Sequence, residues 1–522
     1  MNLISKFFNV SKITLLFTLI MPIDLIAQSQ NDDLLPKRPN IIIFYVDDLG
    51  YGDIGVNGAK NVTTPNIDQL AAEGINFKDA HSTAATCTPS RYALLTGEHG
   101  FRINSDILEG DAPAIIKPGK PTLPSMLQGQ GYKTAVIGKW HLGFGDGNIN
   151  WNSKVSTGPL EIGFDYNFLM PITGDRVPSV FLENHHVVNL DHEDPIEVNY
   201  LKKIGNRPHG DERPDLVRYQ ADEQHNDTII NGVPRIGSMS GGEDALWNDE
   251  DIPEIFNHKA IEFMRSNRDE PFFLFYSFHD IHVPRLPHQD FSGKTNMGPR
   301  GDAIAQVDWV VGKILKEIKY LGVDQNTLVI FTSDNGPVLN DGYNDGADQL
   351  LNGHKPGGEF RGGKYSAYEA GTRVPTIFRW NNQINTGESD ALLSQVDFYA
   401  SIAELLGIEL SETEAIDSLN MLPAFLGTAE MGRNYIIEES VATLSLRMGQ
   451  WKYIAPSSES SRNRNEWVKT DKNIEGGFSS NEQLYNLEND AGELRNIAAE
   501  YPSIIITMRN KLNELRDKGF RE

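Results

Sequence analysis

Only one of the 522 residues is a cysteine, Cys87. No internal disulfide is available, so the fold has to be held by packing and by any metal it binds. Basic residues are scarce too: 47 Lys and Arg against 72 Asp and Glu leave a formal charge of -25. Nucleic-acid binding depends on clustered Lys and Arg that release counterions from phosphate, so this deficit argues against a nucleic-acid partner. An anionic substrate has to be captured by a local positive site. Long apolar runs are also missing. The stretch Ile13 to Met21 is interrupted by Pro22 and Asp24, well short of the roughly 20 residues that span a bilayer. With Lys6 and Lys12 before it and Ala27 closing it, the stretch reads as an export signal over residues 1–27. The expected mature chain has no membrane anchor and is periplasmic or secreted. Internal repeats and low-complexity tracts are absent as well.

What the chain does have is alternation. Asn40 to Val46 is a continuous apolar run, rich in β-branched residues, that ends in Asp47 and Asp48. That pattern suits a strand buried on both faces. Thr64 and Pro65 open a helix that Gly74 closes. Lys133 to Gly138, Phe272 to Ser277 and Leu328 to Thr332 are further strands, and Ile304, Val307, Val310, Val311, Ile314, Leu315 and Ile318 recur at helical spacing. Strands alternating with helices predict an α/β fold with a mostly parallel, doubly wound sheet, in which ligands gather at the carboxyl ends of strands. The length allows a large domain, expected over residues 37–410, and a smaller one. Residues 173–251 are polar and weakly periodic, the mark of a long insertion or lid. Beyond residue 410 short runs at 435–438, 444–448 and 451–454 precede a helix over 503–515, which predicts a C-terminal α+β domain with an antiparallel sheet over 411–522.

Chemistry concentrates in a few short segments. In CTPSRYALLTG, Thr88 and Pro89 form an N-cap and first-turn pair, which places Cys87 just outside the amino end of a helix running through Leu95. Free N–H groups and the helix dipole favour an anion there. On the residues alone, a lone cysteine such as Cys87 reads first as a small buried hydrophobe, with a thiolate nucleophile activated by the helix terminus as the second alternative. Asp47 with Asp48, and Asp334 with Asn335, each end a buried strand of one presumed sheet. Four oxygen donors at one sheet edge suit a hard cation such as Ca²⁺, whereas zinc recruits His or Cys; a solvated strand end is the plainer reading of either pair. In GKWHLG, Lys139 and His141 are two apart, so an extended backbone sets both on one side. HDIHVP supplies His279 and His282, and RGGKYSAYEAGTRVP supplies Lys364.

The first of these segments matches CxPSRxxxxTG at every fixed position. It resembles the signature of the type I sulfatases, an alkaline-phosphatase-like family that includes arylsulfatases and N-acetylgalactosamine-6-sulfatases. The resemblance implies that Cys87 is oxidised by a formylglycine-generating maturation enzyme to formylglycine (3-oxoalanine). It also implies that Arg91 holds the aldehyde hydrate, and that one Ca²⁺ is bound by Asp47, Asp48, Asp334 and Asn335 together with residue 87. In such an enzyme a hydroxyl of the hydrate attacks sulfur, and its second hydroxyl later lets the aldehyde re-form and sulfate depart, which serine could not do. Lys139 then takes the role of a sulfate contact and His141 that of the base that deprotonates the remaining hydroxyl of the sulfated intermediate. The family's HxP pattern selects His282 over His279 as the donor to the leaving alcohol, and Lys364 neutralises sulfate. Glu369, Ala370 and Gly371 stand where the family has EGG, a departure that touches no catalytic position. The tail QLYNLENDAGELRN resembles the family's closing LYDLxxDPxExxN, so the likeness runs from Pro39 to the C-terminus.

The activity implied is hydrolysis of sulfate monoesters on sulfated polysaccharides or oligosaccharides, with Arg176, His185 and His186 of the insertion as candidate sugar contacts. Two other readings stay open. One is a phosphomonoester or phosphonate hydrolase of the same superfamily, which would need a second, His-rich metal site. The other is an inactive relative that binds sulfated glycans.

Overall fold

The computed structural model describes residues 38–457 and 475–521; the export signal read at residues 1–27 lies outside them. Ten strands build the main sheet: β1 (Asn40–Val46), β2 (Ile75–Phe77), β3 (Lys133–Lys139), β4 (Tyr166–Met170), β5 (Leu182–Glu183), β6 (His186–Val187), β7 (Phe272–Ser277), β8 (Thr327–Ser333), β9 (Thr376–Arg379) and β10 (Gly387–Ser389). Their spatial order is β10-β2-β9-β8-β1-β7-β3-β4-β5-β6. The central run β8-β1-β7-β3-β4 is parallel throughout, and antiparallel pairs appear only toward the margins.

Alternation along β1 shows why its apolar run is unbroken. Ile41, Ile43 and Tyr45 enter the core on one face, while Ile42, Phe44 and Val46 enter the core on the other. Helices α2 (Cys87–Thr96), α3 (Leu123–Gly129) and α6 (Phe398–Leu405) cover the first face; α1 (Pro65–Ala72), α4 (Ile252–Ser266) and α5 (Gly298–Leu321) cover the second. A strand sandwiched between two helical layers has no solvent face, so both of its side-chain sets are apolar. The doubly wound reading is therefore borne out.

The polar stretch 173–251 is irregular, as expected, but it is stitched into the body. Its β5 and β6 extend the main sheet, and Val177, Val180, Ile196, Ile230 and Met239 join the first-face core. Near the C-terminus a four-stranded antiparallel sheet, β11 (Tyr435–Glu439), β12 (Leu444–Met448), β13 (Trp451–Ile454) and β14 (Gln483–Asn486), packs with α7 (Pro502–Lys518). Ile437, Leu446, Tyr453 and Leu484 meet Ile505, Met508, Leu512 and Leu515 there, the i, i+3, i+7, i+10 stripe of the helix. This sheet is not detached: β11 bonds to the segment before α2, Glu439 N–H donating to Thr83 O at 3.0 Å and Ala85 N–H to Glu439 O at 2.7 Å. Among the described residues no helix is long and apolar enough to cross a membrane.

Candidate active site

Four neighbouring parallel strands end at one edge and deliver the motif residues together. Asp47 and Asp48 follow β1, Asp334 and Asn335 follow β8, Lys139 ends β3, and His279 to His282 follow β7 by two residues. This is the carboxyl edge where doubly wound sheets bind ligands. Gly138 allows the strands to close up: its φ is 118° and a Cβ there would lie 1.7 Å from Ser277 O.

Residue 87 sits under this edge. Cys87 is the first residue of α2 rather than one before it, because Thr86 is extended and takes the N-cap position. Thr88 is not the cap. Its hydroxyl instead donates to His141 O and accepts from Leu108 N–H, both at 3.3 Å. Arg91, one turn on, sends Nε and Nη2 to Asp334 Oδ2 at 3.0 and 2.8 Å and Nη1 to Lys139 O at 3.2 Å. The Cys87 thiol is buried 3.3 Å from His141 Nδ1. His141 Nε2 lies 3.0 Å from Leu108 O, which only an N–H can satisfy, so Nδ1 is the acceptor facing residue 87. His141 has φ 54°, so the two-residue spacing from Lys139 does not act through an extended backbone. Asp48 (φ 63°) and Tyr365 (φ 75°) are likewise left-handed, and such strain collects where surrounding structure fixes a functional side chain.

The acidic side chains crowd. Lys139 Nζ meets Asp47 Oδ2 at 2.5 Å, Lys364 Nζ is 3.0 Å from the Asp48 carboxylate, and Asn335 Nδ2 donates to Asp48 Oδ1 at 2.8 Å. Asp47 Oδ1 and Asn335 Oδ1 are buried without a hydrogen-bond partner. Two orphaned oxygens beside three carboxylates are a donor set for a hard cation, and ligand atoms of Asp47, Asp48 and His282 lie within 4.8 Å of one another. Burial, followed by the neighbouring Asp334, holds the Asp47 carboxyl well above the usual carboxylate range despite Lys139. A second group, Asp79, His81 and Glu369, also comes together, but Arg373 and Arg447 already neutralise its carboxylates.

A narrow pocket opens over residue 87. Cys87, His141, His282, Lys364 and Arg176 line it, and so do Asp175, His225, Asp341 and Tyr365. His282 Nδ1 lies 2.7 Å from Val283 O and Nε2 lies 3.9 Å from Asp48 Oδ2. Burial, then Lys364 and Lys139, hold its pKa well below the ordinary histidine value. The sequence from residue 39 to 408 matches the family model named Sulfatase.

The chain belongs to the sulfatase family.

Its members are sulfuric ester hydrolases, and this sulfatase is 47% identical over 485 residues to an N-acetylgalactosamine-6-O-sulfatase of Bacteroides thetaiotaomicron, covering 92% of this chain and 94% of that one. The human N-acetylgalactosamine-6-sulfatase is 30% identical over 432 residues, covering 80% and 71%. A solved structure from work on the metabolism of multiple glycosaminoglycans by B. thetaiotaomicron (BT33336S-sulf) superposes with a TM-score of 0.89 at 46% identity, covering 92% of this chain and 100% of that chain. PsFucS1 sulfatase from Pseudoalteromonas sp., at 24% identity and a TM-score of 0.68 over 95% and 92%, shares the fold.

Of the three sugar-contact candidates, only Arg176 reaches the cavity of this sulfatase, its Nη1 tied to Asp175 Oδ1 at 2.9 Å and Thr173 Oγ1 at 2.7 Å. His185 is paired with Glu161 at 2.8 Å, and His186 is exposed on β6; neither lines the cavity. Sequence reasoning missed Asp175, His225, Asp341 and Tyr365. Asp341 lies 2.9 Å from Lys364 Nζ and accepts from Tyr365 O–H at 3.0 Å, while His225 Nε2 is 3.3 Å from Asp175 Oδ2. Tyr365 adjoins Lys364 in sequence and could have been suspected; the other three sit in aperiodic loops that give no signal.

Proposed function

We propose that this sulfatase removes the 6-O-sulfate of N-acetylgalactosamine in sulfated glycans, using one Ca²⁺ and a formylglycine made from Cys87 by a maturation enzyme, after export to the periplasm or beyond. The observation that carries the reading is the near end-to-end likeness, 47% over 92% of the chain, to an enzyme named for that sugar and that position. Ca²⁺ at this edge would supply Lewis-acid chemistry to the sulfate group, and a hydrated aldehyde at position 87 would supply the nucleophilic hydroxyl. Asp47, Asp48, Asp334 and Asn335 would hold the cation, and Arg91 fixes Asp334. His141 Nδ1, aimed at residue 87, accepts the proton of that side chain. Lys139 and Lys364 offset sulfate charge. His282 lines the pocket beside residue 87 and is placed to pass a proton to the leaving oxygen.

Among the described residues one other group of His, Asp and Glu lies close enough together to hold an ion, Asp79, His81 and Glu369, and arginines already neutralise its carboxylates. Purified protein with formylglycine confirmed by mass spectrometry is expected to release sulfate from N-acetylgalactosamine-6-sulfate much faster than from the 4-sulfate or from 4-nitrophenyl phosphate. Equal rates on all three would remove the substrate assignment.

Two further results are expected. Burial, then Lys139, Arg176 and Arg91, keep the pKa of His141 well below its ordinary value, so it remains a base below about pH 6.5. The acid limb of kcat/KM should therefore fall below that pH, and a limb at 7 would contradict the role. Arg176→Ala is expected to raise KM on the sulfated sugar about tenfold, the loss of one charged contact, with His186→Ala unchanged within about twofold; steady-state kinetics on both variants checks the contrast.

A further inference from the structure

Glu438, on β11 of the C-terminal sheet, reaches back into the main body. Its Oε1 accepts from Thr372 O–H at 2.5 Å and lies 3.0 Å from His81 Nδ1, and Lys452 Nζ is 2.9 Å from its Oε2. Those contacts sit on the two segments that place the chemistry. His81 belongs to the run 80–86 that leads directly into Cys87, and Thr372 closes the loop that begins at Lys364. The segments are also laced to each other: Ser82 N–H donates to Thr372 O at 2.8 Å, and Tyr365 N–H to Ala85 O at 2.6 Å. Next along β11, Glu439 pairs through its backbone with Thr83 and Ala85. The run before Cys87 is therefore held between the Lys364 loop and a strand of the C-terminal sheet.

We propose that Glu438 is a positioning residue for sulfate-ester hydrolysis, fixing the spacing between residue 87 and Lys364 through His81 and Thr372. The proposal rests on the catalytic reading of Cys87 and Lys364 given above. Its electrostatics are closed. His81 Nε2 lies 2.8 Å from Asp79 and 3.6 Å from Glu369, so both ring nitrogens face carboxylates and both carry protons. Around it, Arg373 is 2.7 Å from Asp79 and 2.9 Å from Glu369, Arg447 bonds both of those acids, and Lys452 is 3.0 Å from Glu369. Glu493 accepts from Glu369 N–H at 2.6 Å, and burial pushes its carboxyl up to about 8. All of these groups except Asp79 are buried. Burial alone would lower the pKa of His81, but Glu369, Asp79 and Glu438 outweigh it and raise the value. A histidine raised in the folded state holds its contacts fully below its unfolded pKa and loses them as pH rises through the folded one. Removing the charge of Glu438 moves that loss to lower pH.

The test uses the full-length protein, with kcat expressed per mole of formylglycine and N-acetylgalactosamine-6-sulfate as substrate. Glu438→Gln is expected to lower kcat about tenfold or more with KM changed less than about threefold, and to bring the alkaline fall of Tm to lower pH. A folded Glu438→Gln protein with the kcat of the parent overturns the proposal. Should that variant not fold, Thr372→Val, which deletes one hydroxyl from the same contact, decides. A fall in kcat of about threefold at unchanged KM and Tm supports the proposal, and an unchanged kcat overturns it. The parent protein run alongside separates the two levels: no turnover by the parent refutes the reading of the site itself, whereas an unaltered variant beside an active parent refutes only the role of Glu438.

Discussion

Cys87→Ala is expected to abolish sulfate release, with turnover lower by at least about a thousandfold, the size of effect seen when a nucleophile is removed. The fold should survive. Residue 87 lies at the first position of α2, where alanine is a good helix former, and its thiol sits 3.3 Å from His141 Nδ1. An unmodified cysteine is expected to be nearly as inactive. In the metal-free site, burial raises the thiol pKa; Lys139 and Lys364 pull it down, Asp334 and Asp47 push it up, and the balance leaves it above its usual value. Without a bound cation the site therefore disfavours the thiolate at neutral pH. Activity should scale with the fraction of chains bearing formylglycine, measured by intact mass in the same preparations. A preparation with an ordinary thiol at position 87 and full activity would end this account.

Removing Ca²⁺ is expected to cost both activity and stability, and Asp47→Asn should uncouple the two. A ligand at a hundredfold excess over its Kd stabilises by about 2.7 kcal/mol. With an unfolding entropy of roughly 2.1 cal/mol/K per residue, that moves the Tm of a chain this long by about 3 °C. Chelation should lower Tm by this amount and reduce kcat on the order of a thousandfold, the several kcal/mol that a Lewis acid contributes. The metal-free protein should also respond to pH in a particular direction. The carboxyl of Asp47 is raised above its unfolded value of about 3.9. In that window the folded state holds the extra proton, so stability falls as pH climbs from about 4 through the raised value. An asparagine side chain at this position carries no such charge and keeps the shape. Asp47→Asn should therefore be as stable as the parent without metal, insensitive in Tm to added Ca²⁺, and inactive. Thermal scans of both proteins at two pH values with and without chelator check the stability statements and a sulfate-release assay the last, and a variant that still gains Tm from Ca²⁺ would take Asp47 out of the ligand set.

The central strands and the residues that follow them were legible because a doubly wound sheet writes itself plainly. A strand with helices on both faces must be apolar at every position, as in Ile41 to Val46, and its carboxyl end is the natural place for polar ligands. The helix at Cys87 was legible too, but its start was misjudged by two residues, since Thr86 takes the N-cap position and Thr88 spends its hydroxyl on Leu108 and His141 instead of capping. What stayed hidden came from loops. Asp341 and Asp175 are ordinary acids in sequence; only the chain path brings them to Lys364 and Arg176. His185 and His186 were candidate sugar contacts, yet His185 lies in the turn between β5 and β6, paired with Glu161, and His186 opens β6 exposed, so neither lines the cavity.

The backbone pairing of Glu439 with Thr83 and Ala85 bears on how short a working fragment can be. The match to the family model ends at residue 408, and a chain truncated there would still satisfy it in full. Such a fragment would leave the N–H of Ala85 and the carbonyl of Thr83 without their partners two to four residues from the reacting side chain. It would also leave His81, Asp79, Arg373 and Glu369 facing empty space where Lys452 and Arg447 now stand. A fragment that keeps these contacts has to include the C-terminal sheet, and with it the helix that covers the sheet's apolar face.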